Sequence, residues 1–166
     1  EEYEVPYDKL IISCGMKSRT FGTPGLTEEN RVYFLKTLSD SRKIRSRMID
    51  CFEKASSPSL DEEEKTRLLN FIIVGAGPTN VEYAGELSQF IKDDLVRWFP
   101  ELVKKARISI VEVADVLMPS YAKDIQDYAA EEFKKDGINL LFKTSVKEIR
   151  RNSKDQSEVE LSDGSV

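Results

Sequence analysis

The sequence contains no histidine. Imidazole is the usual base of Ser/His/Asp and Cys/His hydrolases and the commonest ligand of catalytic zinc, so its absence removes those chemistries. Cysteine is scarce: Cys14 and Cys51 are too few for a disulfide framework and do not form a CxxC pair, which favours a reducing compartment. No apolar run approaches 18 residues, so no segment qualifies as a transmembrane helix. Excess basic charge is missing too. A net charge of −5 argues against a nucleic-acid partner, because counterion release needs a concentrated positive patch. The cluster Arg42, Lys43, Arg45 and Arg47 reads as the solvated face of a helix.

What remains is the composition of a globular protein: 40% apolar and 33% charged residues, with both signs interspersed. A length of 166 residues suits one domain with a core of its own. The chain starts inside the extended-looking run Tyr3–Ser13 and stops at "LSDGSV", where a turn opens toward another strand. It reads as a piece of a longer protein.

Along the chain, "YDKLIIS" (Tyr7–Ser13) predicts a strand running into Cys14-Gly15, and "TFGTPG" (Thr20–Gly25) a loop. Between about Ser39 and Ala55 the residues Ile44, Met48, Cys51, Phe52 and Ala55 recur at three- and four-residue steps, which places them on one helical face. "SSPSLDEEEKTRLL" reads as an exposed loop with a short helical end. Phe71–Val74 then predicts a strand, followed by a glycine turn and a helix with Val81, Ala84, Ser88, Ile91, Leu95 and Trp98 inward, stopped by Pro100. "RISIVEV" (Arg107–Val113) predicts a second strand. The helix expected over Ala122–Lys135 faces inward through Ile125, Tyr128, Ala129 and Phe133, with Gly137 as its C-cap. "INLLF" (Ile138–Phe142) predicts a third strand. "SVKEIRR" and "EVELS" alternate as an antiparallel pair with one wet face. The expected fold is α/β: a Rossmann-like three-layer domain with a parallel βαβαβ sheet plus an antiparallel β-meander.

The segment "FIIVGAGPTNVEYAGEL" carries the chemistry. In a strand-turn-helix dinucleotide site the first glycine permits the tight turn and the second lets a pyrophosphate approach backbone N–H groups at the positive end of a helix. Gly75 and Gly77 supply both, but Asn80 stands where a third glycine is expected. Either the helix sits slightly off the strand, or the Asn80 amide turns toward the phosphates as an added donor. A carboxylate at the end of the second strand, Glu112, is placed to accept hydrogen bonds from the adenosine ribose and to repel a 2′-phosphate, which favours NADH over NADPH. Its distance from Gly77 exceeds the usual interval of about 20 residues, and the extra stretch Lys92–Ala106 accounts for the excess.

That segment, with "FLKTLSDSRKIRSRMIDCFEKA", "SLDEEEKTRLLNFIIVG" and "DDLVRWFP", resembles the type II (alternative, rotenone-insensitive) NADH:ubiquinone oxidoreductases of the pyridine nucleotide-disulfide oxidoreductase-like flavoproteins. "PYDKLIISCG" is similar to the stretch where such proteins leave their FAD domain. The resemblance implies that residues 1–166 form the NADH-binding domain, with 1–25 and 158–166 as edges of its connections to an FAD domain. It implies NADH and FAD as cofactors, hydride transfer between them, and a ubiquinone-type acceptor. It also implies peripheral attachment to the mitochondrial inner membrane through segments outside this chain, with a homodimer one assembly open to the full-length protein. By position, Gly75, Ala76, Gly77, Pro78, Thr79 and Asn80 form the cofactor-binding turn, and Glu112 holds the ribose. Glu82 lies toward the nicotinamide and flavin as the catalytic candidate. No metal is expected. Two departures from the family pattern stand out: Asn80 for glycine, and Cys14-Gly15 for Thr-Gly. The alternatives are another two-dinucleotide reductase, for ferredoxin or a disulfide, and a non-catalytic nucleotide-sensing module. Alone, the chain is expected to bind nucleotide at best. Lys36, Cys14 and Cys51 receive no chemistry, and Trp98, Phe99 and Met118 are expected to pack against neighbouring elements.

Overall fold

The computed structural model describes residues 2–166, so Glu1, the first residue of the expected domain, lies outside the described residues. The first regular element is α1 (Leu38–Ala55), which begins where Thr37 and Asp40 cap each other. The Thr37 hydroxyl accepts from Asp40 N at 3.2 Å, and the Asp40 carboxylate accepts from Thr37 N at 2.8 Å. Met48, Cys51, Phe52 and Ala55 are buried along one face, as their spacing predicts. The segment read as mostly loop holds a two-turn helix, α2 (Glu62–Leu68). Asp61 caps it, its acidic residues occupy the first turn and Lys65 and Arg67 the last, an arrangement that complements the helix dipole.

A three-stranded parallel sheet follows in the order β1-β2-β3, formed by β1 (Asn70–Val74), β2 (Arg107–Val111) and β3 (Asn139–Leu141). Asn70 pairs with Arg107 and Val74 with Val111, while Ser109 pairs with Asn139 and Val111 with Leu141. The crossovers are α3 (Pro78–Gln89) and α4 (Lys123–Asp136), the latter ended by Gly137 in the left-handed conformation. The antiparallel part is a sheet of two strands, β4 (Val146–Arg151) and β5 (Ser157–Leu161). Phe71 and Ile73 of β1 face a core shared by α1, α3, α4 and Ile108 and Ile110 of β2. Phe52, fully buried, packs its ring against Phe71 and Phe99.

Three expectations fail. The Tyr7–Ser13 run is not a strand: Ile11 and Ile12 are 87% and 78% exposed, and no strand among the described residues lies beside the run to satisfy its backbone. Trp98 is 77% exposed rather than inward. After α3 the chain makes a π-helical turn, Phe90–Asp94, then a 3₁₀ turn, Leu95–Arg97. The widened turn takes up extra residues per revolution and shifts the helical face, so Phe99 enters the core in the place anticipated for Trp98. Phe99 and Met118 do pack as expected. In α4, Ile125 and Tyr128 are exposed, because the helix reaches the core mainly through Phe133 with Ala129 and Ala130 beside it.

The loop before α1 is anchored on the hairpin. Gly25 has φ +80°, and a Cβ there would lie 1.7 Å from the Ile149 carbonyl oxygen, so only glycine fits. Ile149 N donates to Pro24 O at 3.1 Å, and Asn30 Nδ2 donates to both Gly25 O and Ile149 O.

Candidate functional site

The site is built at the C-terminal ends of β1 and β2, where a parallel sheet presents its crossover turns. Gly75 leaves β1 with φ +93°, and its N–H donates to Val111 O at 2.8 Å. Gly77 is the N-cap of α3 and Pro78 fills the first helical position. A Cβ added at Gly77 would meet nothing within 4 Å. The space beside Gly77 is therefore open among the described residues.

Glu112 follows β2 directly and is almost enclosed, with 9% exposure. One carboxylate oxygen, Oε2, accepts from Ala76 N at 2.6 Å, and Oε1 accepts from Ala114 N at 2.8 Å. Two backbone N–H groups thus hold this carboxylate against the glycine turn. Met118 N donates to Ala76 O at 2.8 Å, which ties the loop after β2 to the same turn. Sequence reading anticipated neither contact. A tight turn and a carboxylate 36 positions apart gave no local signal that they hydrogen-bond.

These bonds sort the backbone donors. Ala76 N–H is used by Glu112, Pro78 has none, and Asn80 N–H donates to Gly77 O. Gly77 and Thr79 N–H have no partner among the described residues, and both sit at the positive end of α3. The Asn80 amide does not turn toward the open side as an added donor. Its Nδ2 donates to Val74 O at 2.8 Å and Gly75 O at 3.0 Å, so the amide points back into the turn and not toward the open side.

Glu82 is exposed one helical turn further along α3 and makes no hydrogen bond or ion pair among the described residues. With Thr79, Tyr83 and Glu86 it borders a shallow groove of about 380 Å³ between α1 and α3, floored by Ile44, Met48 and Phe90. Burial pushes the Tyr83 phenol up to about 12, so this hydroxyl stays protonated across the physiological range. Arg45 lies over the Phe90 ring at 5.8 Å, and Lys43 of the same basic cluster pairs with Glu28. Cys51 is buried in α1, which raises its thiol pKa, whereas Cys14 is exposed. The described residues hold no cluster of potential metal ligands, and none of their helices is long and apolar enough to cross a membrane.

The chain is similar to several known proteins. The external alternative NAD(P)H-ubiquinone oxidoreductase B3, mitochondrial, of Arabidopsis thaliana is 43% identical over 159 residues, 93% of this chain and 27% of the relative. The external alternative NADH-ubiquinone oxidoreductase, mitochondrial, of Yarrowia lipolytica is 40% identical over 149 residues, 90% of this chain and 25% of the relative. This chain therefore spans about a quarter of the length of these relatives. The resemblance read from the glycine turn and its flanking segments holds. Among solved structures, NDH2 from Plasmodium falciparum in complex with NADH superposes with a TM-score of 0.76 at 29% identity, over 86% of this chain and 30% of that one. The family model described as pyridine nucleotide-disulphide oxidoreductase matches residues 1–166, and the chain belongs to that family.

Proposed function

We propose that this chain is the NADH-binding domain of a flavin-dependent NADH:quinone oxidoreductase. The observation that carries the proposal is the pairing of an open helix start at Gly77 with an enclosed Glu112 carboxylate bonded to the next residue of the same turn. The fit to a dinucleotide is specific in its parts. The unobstructed space at Gly77 accepts a pyrophosphate close to the backbone, and the N–H groups of Gly77 and Thr79 supply donors for it, with the Thr79 hydroxyl adjacent. Glu112 keeps lone pairs for ribose hydroxyls beyond its two backbone donors, since an ionised carboxylate offers about four acceptor sites. Glu82 faces solvent on the same helix, and the family resemblance assigns it to the nicotinamide side.

NADH held here would supply a hydride, and a flavin bound by other segments of the full-length protein would accept it. The contribution of this chain is binding and orientation. The α3 N-terminus and the turn hold the phosphates, Glu112 holds the sugar and discriminates against a 2′-phosphate, and Glu82 is placed to influence charge at the hydride donor. The names of the relatives at 40–43% identity favour a quinone over ferredoxin or a disulfide as final acceptor, and mitochondria as the place of work. Residues 1–166 form one nucleotide-binding unit in this reading, joined at either end to the flavin domain.

Calorimetric titration of the full-length protein tests the proposal. NADH and ADP-ribose are expected to bind at least ten-fold more tightly than NADPH, and Glu112→Gln is expected to narrow that gap by weakening NADH. Equal affinity for NADH and NADPH in the unaltered protein would overturn the assignment of Glu112. No binding of either nucleotide would overturn the site.

A further inference from the structure

The Asn80 side chain does what a glycine in its place could not. Its Nδ2 donates to Gly75 O at 3.0 Å, and that carbonyl belongs to the same peptide plane as the Ala76 N–H that Glu112 Oε2 accepts at 2.6 Å. One planar peptide unit is therefore held from both sides, its oxygen by Asn80 and its nitrogen by Glu112. A second bond from Nδ2 to Val74 O, at 2.8 Å, ties the same amide to the end of β1.

Glycine at φ +93° leaves the following peptide freer to rotate than any other residue would. Without a brace, that peptide can tilt, and the Ala76 N–H tilts with it. Because Glu112 is anchored through this N–H, any tilt moves the carboxylate that faces the ribose. We infer that Asn80 is a positioning residue for nucleotide selectivity: through the Gly75–Ala76 peptide it sets where Glu112 presents its lone pairs. Both amide hydrogens are directed to backbone carbonyls, so Nδ2 has none left to donate to a phosphate. The inference rests on the dinucleotide site proposed above.

The test uses the full-length protein and titrates it calorimetrically with ADP-ribose and with 2′-phospho-ADP-ribose, for the unaltered chain, Asn80→Gly, Asn80→Ser and Glu112→Gln. Melting temperature is recorded for each. Asn80→Gly is expected to weaken ADP-ribose about ten-fold and 2′-phospho-ADP-ribose much less, so that the affinity ratio narrows in the direction set by Glu112→Gln. Asn80→Ser, which keeps one donor, should fall between. A purely structural role would lower the melting temperature and leave the ratio alone. If Asn80→Gly matches the unaltered protein in the ratio while Glu112→Gln changes it, the inference is wrong and the dinucleotide site stands. If neither ligand binds the unaltered protein, the site and the inference fall together.

Discussion

The runs "LIIS" (Leu10–Ser13) and "FIIV" (Phe71–Val74) are nearly interchangeable in composition, yet they end in opposite states. The second is β1, paired along all five of its residues with β2 and covered on one face by the core. The first has no strand beside it among the described residues and presents Leu10, Ile11 and Ile12 to solvent. Aliphatic, β-branched side chains make an extended backbone favourable, but a strand persists only when its N–H and C=O groups find a ladder and its apolar face a cover. For "FIIV" both lie within reach, because the glycine turn and α3 bring Arg107–Val111 alongside. For "LIIS" neither is present among the described residues.

Substitutions can break this contrast, beginning where burial is deepest. Phe52→Ala is expected to destabilise the sheet region by about 4 kcal/mol, since it empties a fully enclosed site between Phe71 and Phe99. Hydrogen exchange of the β1 amides would measure it, and a loss below about 1 kcal/mol would mean that β1 does not depend on this cover. Gly25→Ala tests the boundary between the open and covered parts. The clash with Ile149 O and the strained φ should cost about 3 kcal/mol and speed exchange in β4. Phe99→Ala should cost about 3 kcal/mol and Trp98→Ala less than about 0.5, because their exposures are reversed from the simple helical expectation. Equal losses would contradict the shifted helical face. At the small end, Ile11→Ser should leave β1 exchange unchanged within about 0.5 kcal/mol. A measurable loss would show that the run is covered in solution.

High pH sharpens the comparison from another side. The Tyr83 phenol is buried against α1, and its pKa is raised above the usual value near 10 to about 12. The unfolded chain loses this proton first, so stability from the neutral buried phenol is complete below pH 10 and declines as pH rises through 12. Tyr83→Phe should remove that decline in a pH series of thermal melts while leaving the acid side unaltered.

Much of the sheet was legible because each of its elements carries its own period and punctuation. The apolar face of α1, the glycine after α4 and the β-branched run of β2 are local signals, and each appears where its pattern put it. The failures come from what periodicity omits. Tyr7–Ser13 needed a partner, Trp98 depended on an irregular turn, and Ile125 and Tyr128 depended on how narrowly α4 meets the core. At the site, the residue types were readable from "GAGPTN" and "VEV". Their hydrogen bonds were not, because the Asn80 amide and the Glu112 carboxylate converge on one peptide unit through chain segments far apart in sequence.

The π-helical turn at Phe90–Asp94 has one more consequence. It lies between the part of α3 that starts at the glycine turn and the stretch that reaches Phe99, and it absorbs a mismatch in phase between them. Removing a single residue there would restore an ordinary helical repeat and bring Phe99 into the inward position that regular winding gives the residue before it. Phe99 would stay in the core and Trp98 at the surface. A defect in winding thus takes in one extra residue while both ends of the helix keep their facing.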